Sequence, residues 1–213
     1  MKAKIEVIYE ELCCTLKDMD IEKCYYLAIM GMNRTLCLCS KIVKYDFFKN
    51  MLILRKFIKE NNRDIFDHKQ TYSGYNEVCY LFDELSDNWE NYIFDDLGEI
   101  QDVALNSGLY EFMEAWYAFL GVINSPYKDY TPEKMVFFIT LPIRYLESYL
   151  TSYFIDCIDE KQLQEFVNDH EIIENEIERI FLDIQLVLSN NREAIYERMS
   201  FYSELDILEW MKN

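Results

Sequence analysis

The amino-acid sequence predicts an all-α fold, and three observations support this prediction. The chain of 213 residues contains only 5 Gly and 3 Pro, which is too few for the many tight turns of a β-sandwich or β-barrel. Its hydrophobic fraction of 51% is enough to form a large core. Apolar residues also recur at intervals of three and four, as on one face of an α-helix. We therefore expect a single domain over residues 1–213, built as a bundle of about eight to nine mostly antiparallel helices.

The first three helices are indicated by apolar spacing and by capping residues. The first helix carries one apolar face, formed by Ile5, Ile8, Tyr9, Leu12 and Leu16. Asp20 is suited to cap a second helix that runs to about Tyr45, and Asp46 to cap a third over residues 47–62. Residues 62–74, NRDIFDHKQTYSG, are expected to form a loop.

The middle of the chain contains two further helices. The first has an apolar stripe with steps of three and four residues, formed by Tyr75, Val78, Phe82, Leu85, Trp89 and Tyr92. Trp89 and Tyr92 suit either the core or an exposed interface. Residues 109–123 are apolar on nearly all sides, so we expect them to form a central helix.

The C-terminal part of the chain shows clear helix-start signals. Residues 131–133, Thr-Pro-Glu, combine a capping residue, a Pro at the first helical position and an acid in the first turn. Pro142 is expected to kink or break this helix. A short helix is predicted over residues 160–168, an amphipathic helix over residues 173–188, and one more after residue 191.

Charge is distributed unevenly along the chain. Residues 1–69 carry 13 Lys/Arg and 10 Asp/Glu, residues 70–127 carry 0 and 11, and residues 128–213 carry 8 and 18. The first third is therefore slightly basic, whereas residues 70–213 are strongly acidic. A negative field repels phosphate backbones and anionic lipids. We therefore expect no direct nucleic-acid binding and no membrane attachment.

The cysteines and histidines form no recognised metal or catalytic pattern. The pairs Cys13–Cys14 and Cys37–Cys39 lack the C-x-x-C spacing of zinc sites, and neither His68 nor His170 belongs to an H-E-x-x-H motif. The N-terminal stretch is charged and amphipathic, and the apolar runs are shorter than the roughly 18–20 residues of a membrane span. We expect a cytoplasmic protein with free, mostly buried thiols.

The acidic segment, residues 70–127, is the feature of the sequence that points most directly to a function. A surface helix normally mixes charges, because ion pairs one turn apart stabilise it and like charges repel. A cationic partner would supply the missing countercharges, and tyrosines, which are enriched at protein interfaces, are interleaved with these acids. The predicted partner-binding surface consists of Asp83, Glu84, Asp87, Glu90, Asp95, Asp96, Glu99, Asp102, Tyr80 and Tyr92.

This surface predicts an acidic protein-binding protein of the immunity-protein or antitoxin kind, which masks a basic protein such as a toxin nuclease. In a neighbouring version, the carboxylates stand in for the phosphates of DNA. The sequence favours a binding protein over an enzyme, with no catalytic residues and no cofactor. If the basic first third folded back onto the acidic segment, the countercharges would be internal and the interface prediction would fail.

Two alternatives remain open. Glu84 and Asp87 are three residues apart, as are Glu99 and Asp102, and two such pairs on facing helices could hold Mg²⁺. The pattern loosely resembles the metal motif of all-α NTP pyrophosphatases, and DELSD resembles the aspartate-rich motif of isoprenoid synthases. The resemblance implies a Mg²⁺-dependent phosphohydrolase with these four carboxylates as ligands, although its basic residues would have to come from outside residues 70–127. The other alternative is a helical adaptor or structural domain whose acidity serves only solubility.

Overall fold

The computed structural model describes residues 4–42, 51–95, 103–125 and 127–204. Within these ranges the protein consists of nine α-helices and one 3₁₀ turn, Tyr127–Asp129, without a strand. The helices are α1 (Lys4–Lys17), α2 (Ile21–Ile42), α3 (Met51–Phe66), α4 (Tyr75–Asp95), α5 (Val103–Asn124), α6 (Pro132–Phe154), α7 (Glu160–Asn168), α8 (Glu171–Leu188) and α9 (Arg192–Glu204). The predicted all-α bundle is confirmed.

Helices α2 and α6 form the centre of the bundle. Every residue of α2 from Cys24 to Leu36 is buried. A Cβ atom on Gly31 would lie 2.5 Å from the carbonyl oxygen of Phe138 and 2.8 Å from the Cα of Ile139, so the two helices cross in backbone contact at a residue without a side chain. Helices α1 and α5 pack on α6, while α8 and α9 pack on α2.

Helix α6 continues through Pro142, so the predicted break does not occur. Proline has no backbone N–H, and the carbonyl of Phe138, four residues earlier, therefore loses its usual helical donor. That carbonyl lies against Gly31 of α2. The close helix crossing thus coincides with the turn of α6 in which Pro142 leaves a carbonyl without its helical donor.

Helix α3 extends to Phe66, four residues beyond its predicted end at Asn62. Ile65 and Phe66 are both buried, and this tertiary packing keeps the last turn helical. His68 then adopts a left-handed conformation with φ of 55°. The His68 N–H donates to Ile65 O at 3.2 Å and the Lys69 N–H to Asp64 O at 2.9 Å, the hydrogen-bond pattern of a Schellman motif.

The predicted helix caps have different outcomes. The carboxylate of Asp20 accepts a hydrogen bond from the Glu22 N–H at 3.0 Å, which confirms it as a cap. Thr131 precedes α6 in an extended conformation, but its side chain makes no capping hydrogen bond. The predicted end of α2 at Tyr45 and the predicted cap Asp46 lie outside the described residues.

The apolar stripe of α4 is confirmed for its first half, where Val78, Phe82 and Leu85 are buried. The side chains of Trp89 and Tyr92 lie outside the described set. Residues 109–123 are helical as predicted, within α5, but this helix has an exposed face that includes Glu114 and Tyr117, so the expectation that it is central is wrong. The continuously buried stretch is residues 24–36 of α2, where Asn33, Arg34 and Thr35 make hydrogen bonds inside the bundle.

The five cysteines whose side chains are described are all free. Cys24 is buried, Cys13 and Cys79 are partly buried, and Cys14 and Cys157 are exposed. The prediction of mostly buried thiols is therefore wrong for this set. Among the described residues, no helix combines the length and apolar character needed to cross a membrane.

Candidate functional site

The predicted acidic surface begins on α4. Tyr80 is 69% exposed, and Asp83, Glu84 and Asp87 are exposed as well. The three acids lie three, four and seven residues after Tyr80, so all four side chains lie on one face of the helix, away from the buried stripe. The structure therefore brings these four predicted residues together.

Helix α5 packs beside α4 and adds two residues to this surface. Tyr117 is 48% exposed, and its hydroxyl donates a hydrogen bond of 2.9 Å to the carboxylate of Asp83. This bond raises the pKa of Tyr117. Glu114 lies one turn earlier and is exposed. We call Tyr80, Asp83, Glu84, Asp87, Glu114 and Tyr117 the acidic–tyrosine surface.

The other predicted site residues are not tested by the structure. The side chains of Glu90, Tyr92 and Asp95 on α4 lie outside the described set. The segment with Asp96, Glu99 and Asp102 lies outside the described residues altogether.

The structure describes only two of the four carboxylates proposed as magnesium ligands. Glu84 and Asp87 share the exposed face of α4, whereas their proposed partners Glu99 and Asp102 lie beyond the described residues. In the ranges that the structure covers, no group of three or more His, Cys, Asp or Glu side chains is placed to hold a metal ion.

Several cations of the basic first third are engaged by the C-terminal helices. Three of them pair with acids more than 120 residues away: Arg34 with Glu176 and Asp183, Lys59 with Glu204, and Arg63 with Glu193. These ion pairs place the positive side chains of α2 and α3 against α8 and α9. The acidic–tyrosine surface lies on α4 and α5, so these three cations do not neutralise it.

A buried ionic network joins α2 to α8 and α9. Arg34, Glu176 and Asp183 are each at most 2% exposed. The guanidinium of Arg34 donates to Glu176 Oε1 at 2.6 Å and to Asp183 Oδ2. The hydroxyl of Tyr202 donates to Asp183 Oδ1 at 2.9 Å, and the Arg34 Cζ atom lies 4.8 Å from the centre of the Tyr202 ring.

The charge balance of this network explains how it can be buried. Burial alone would lower the pKa of Arg34, but Glu176 and Asp183 raise it above its ordinary value. Burial raises the pKa of Glu176, and Arg34 opposes that shift. Sequence analysis missed this network, although a signal was present: an arginine in an apolar stretch, and two acids seven residues apart among the isoleucines of α8.

A cavity lies between α1, α5 and α6. Its volume is about 650 Å³, and it is lined by Glu6, Tyr9, Glu10, Glu111, Arg144, Glu147 and Ser148. Burial raises the pKa of Glu147 to about 7; Arg144 opposes the shift and Glu111 adds to it. The cavity therefore contains a carboxyl group that changes charge near neutral pH.

His68 lies in an aromatic cluster at the end of α3. Its ring centre is 4.7 Å from that of Tyr25 and 4.4 Å from that of Tyr127. Its Nε2 lies 3.9 Å from a carboxylate oxygen of Glu22. Burial lowers the pKa of His68 although Glu22 opposes this. A left-handed conformation costs a residue with a side chain about 1–2 kcal/mol, and the packing of this ring between two tyrosines offsets that cost.

The chain matches no protein-family model, no curated protein and no solved structure. Its function must therefore be argued from its own surfaces and cavities. Of these, the acidic–tyrosine surface combines uniform charge with aromatic side chains that are open to solvent.

Proposed function

We propose that the protein is a cytoplasmic inhibitor of the immunity-protein or antitoxin kind, which binds and masks a cationic protein such as a toxin nuclease. The observation that carries this proposal is the position of Tyr80, more than two-thirds exposed among Asp83, Glu84 and Asp87. An exposed aromatic ring within a uniformly acidic face is typical of an interface anchor.

The aromatic part of the surface supplies affinity. A buried aromatic side chain covers about 150–250 Å². Burying the exposed part of Tyr80 would contribute on the order of 3 kcal/mol at about 25 cal/mol per Å². Tyr117 adds a second ring, and its hydrogen bond to Asp83 fixes that carboxylate for an incoming arginine.

The acidic part of the surface supplies specificity and speed. Carboxylates bind arginine through short, charge-assisted hydrogen bonds. A face of one sign also steers an oppositely charged partner and raises the association rate, and salt weakens this effect. Binding should therefore be fast and strongly dependent on ionic strength.

The test is a binding measurement with a matched pair of variants. A basic partner is captured from lysate of the source organism at low salt, identified, purified, and its Kd measured against the wild-type protein. Tyr80→Ala combined with Asp87→Lys should weaken binding at least tenfold. Phe201→Ala combined with Glu197→Lys also removes one exposed ring and reverses one charge, at two exposed positions of α9, and should have little effect.

Two outcomes would contradict the proposal. Equal weakening by both double variants would mean that net charge, and not this surface, determines binding. A rise in Tm with millimolar Mg²⁺, abolished by Glu84→Gln and Asp87→Asn, would instead support the phosphohydrolase alternative, because a bound ligand stabilises the native state.

A further inference from the structure

A row of aromatic rings crosses the surface where α6, α7 and α8 meet. The ring centres are 6.3 Å apart for Tyr149 and Tyr153, and 4.9 Å apart for Tyr153 and Phe154. The row continues from Phe154 to Phe166 at 4.8 Å, and from Phe166 to His170 at 5.6 Å. We call these five residues the aromatic ladder.

The outer side of the aromatic ladder is open to solvent. Tyr153 is 66% exposed and Phe166 is 38% exposed, and the neighbouring Ile155 is 51% exposed. On the other side of α7, Leu163 and Val167 are buried, so this helix already uses its core-facing stripe. Single exposed apolar residues are ordinary, but a contiguous group indicates an interaction site.

The ladder lies in a strongly acidic part of the chain. Residues 145–178 contain 10 Asp/Glu and a single Lys/Arg. Exposed acids flank the rings at Asp156, Glu165, Asp169 and Glu171. An apolar strip with an acidic border is complementary to a segment that is apolar on one side and basic on the other.

We propose that the aromatic ladder binds a basic amphipathic helix of another protein. The apolar side of that helix would cover Tyr153, Ile155 and Phe166, and its Lys or Arg side chains would face the acidic border. A second copy of the chain would bring the same negative border, and anionic lipid would also be repelled. The inference goes beyond the proposed function, because it concerns α6 and α7 and does not depend on the acidic–tyrosine surface.

The test uses the full chain and three synthetic 14-residue peptides. The first peptide contains Leu and Lys arranged as an amphipathic helix, the second has the same composition in an order without an apolar face, and the third carries Glu in place of Lys. We expect saturable one-to-one binding of the first peptide and at least tenfold weaker binding of the other two, measured by calorimetry. Hydrogen exchange should locate the protection on α6 and α7.

Variants separate the ladder from the other surface. Tyr153→Ser with Ile155→Ser changes two residues that are more than half exposed, so the fold should be retained, and peptide binding should fall at least tenfold. Phe166→Ser, checked for folding by circular dichroism, should give a similar loss. Phe201→Ala, at an exposed aromatic residue on α9, should leave binding unchanged, as should Tyr80→Ala with Asp87→Lys.

Several results would overturn the inference. Peptide binding that survives the ladder variants but is lost with Tyr80→Ala and Asp87→Lys would assign the peptide to the acidic–tyrosine surface and leave the proposed function intact. Equal binding of the second peptide would mean that charge alone is recognised. A dimer abolished by Tyr153→Ser and Ile155→Ser, or ladder-dependent binding to phosphatidylcholine vesicles, would identify the occupant as a second copy or a lipid surface.

Discussion

Replacing Arg34 with methionine should be among the most damaging single changes in the protein. Methionine has a similar length and is apolar, so the cavity that it leaves is small. The change removes charge-assisted hydrogen bonds to Glu176 and Asp183, and it leaves both carboxylates at no more than 1% exposure without their central cation. Breaking a buried ion pair in this way costs about 3–5 kcal/mol of unfolding free energy. For a chain of this size, that corresponds to a decrease in Tm of about 6–20 °C.

The cost of this change should depend on pH, and its sign follows from Glu176. Arg34 is the main group that opposes the burial-induced rise in the pKa of Glu176. Without it, the folded-state pKa rises further above the unfolded value of about 4.5. The folded variant then binds a proton that the unfolded chain has released, so stability falls as pH increases through that window. Arg34→Met should therefore be more damaging at pH 8 than at pH 5.

The assay is urea denaturation followed by circular dichroism at both pH values. Adding Glu176→Gln to the Arg34→Met variant should restore part of the loss, because it removes one uncompensated charge. Arg63→Met is the matched control, since Arg63 also pairs with two acids, Asp67 and Glu193, but does so at the surface, and it should cause a much smaller loss. A loss below about 1 kcal/mol for Arg34→Met, or an equal loss for Arg63→Met, would refute the reasoning.

Three further predictions test other features. Gly31→Ala should lower the free energy of unfolding by about 2–3 kcal/mol or more in urea denaturation, because its Cβ would lie 2.5 Å from Phe138 O. Gly121→Ala, with open space around its Cβ, should instead stabilise the protein by roughly 0.5–1 kcal/mol. Similar effects of the two variants would argue against the close crossing of α2 and α6. The pKa of Glu147 is raised from 4.5 to about 7, so the protonated side chain stabilises the fold at low pH and this contribution to stability is lost as pH rises towards 7. Glu147→Gln should therefore stabilise the protein by about 1–2 kcal/mol at pH 8 after allowance for solvent screening, and should have little effect at pH 5. The pKa of His68 is lowered from 6.5, so the neutral ring stabilises the fold above pH 6.5, and this contribution to stability is lost as pH falls through the folded-state pKa. An NMR titration of His68 with a midpoint at or above 6.5 would contradict this.

The helices could be predicted from the sequence where the signal is local. The amphipathic helix over residues 173–188 and the cap at Asp20 depend on neighbours within one or two turns, and both predictions agree with the structure. The end of α3 depends on distant contacts. The Tyr25 hydroxyl donates to Ile65 O at 3.3 Å, and the ring of Tyr26 stacks on Phe66 at 4.9 Å. No local pattern within NRDIFDHK reports those contacts.

The candidate site could likewise be predicted where its residues are close in sequence, but not where they come from different helices. Tyr80 and Asp83 could be identified because one acidic helix carries both. Tyr117 could not be identified, because its partner Asp83 is 34 residues away and because the sequence of α5 is apolar on nearly all sides. The exposed rings of Tyr153 and Phe166 were missed for a related reason: periodicity identifies a buried face, but not which aromatic residues remain outside it.

The ion pairs of Arg34 affect when the core can form during synthesis of the chain. Its two carboxylate partners are 142 and 149 residues further along the sequence. At about 5–20 residues per second, the ribosome needs on the order of ten seconds to reach them. During that interval the apolar face of α2 cannot close around an unpaired guanidinium without a large penalty. Completion of the core is therefore tied to the emergence of α8, and a chain truncated before Glu176 should remain partly open and be readily cleaved by proteases.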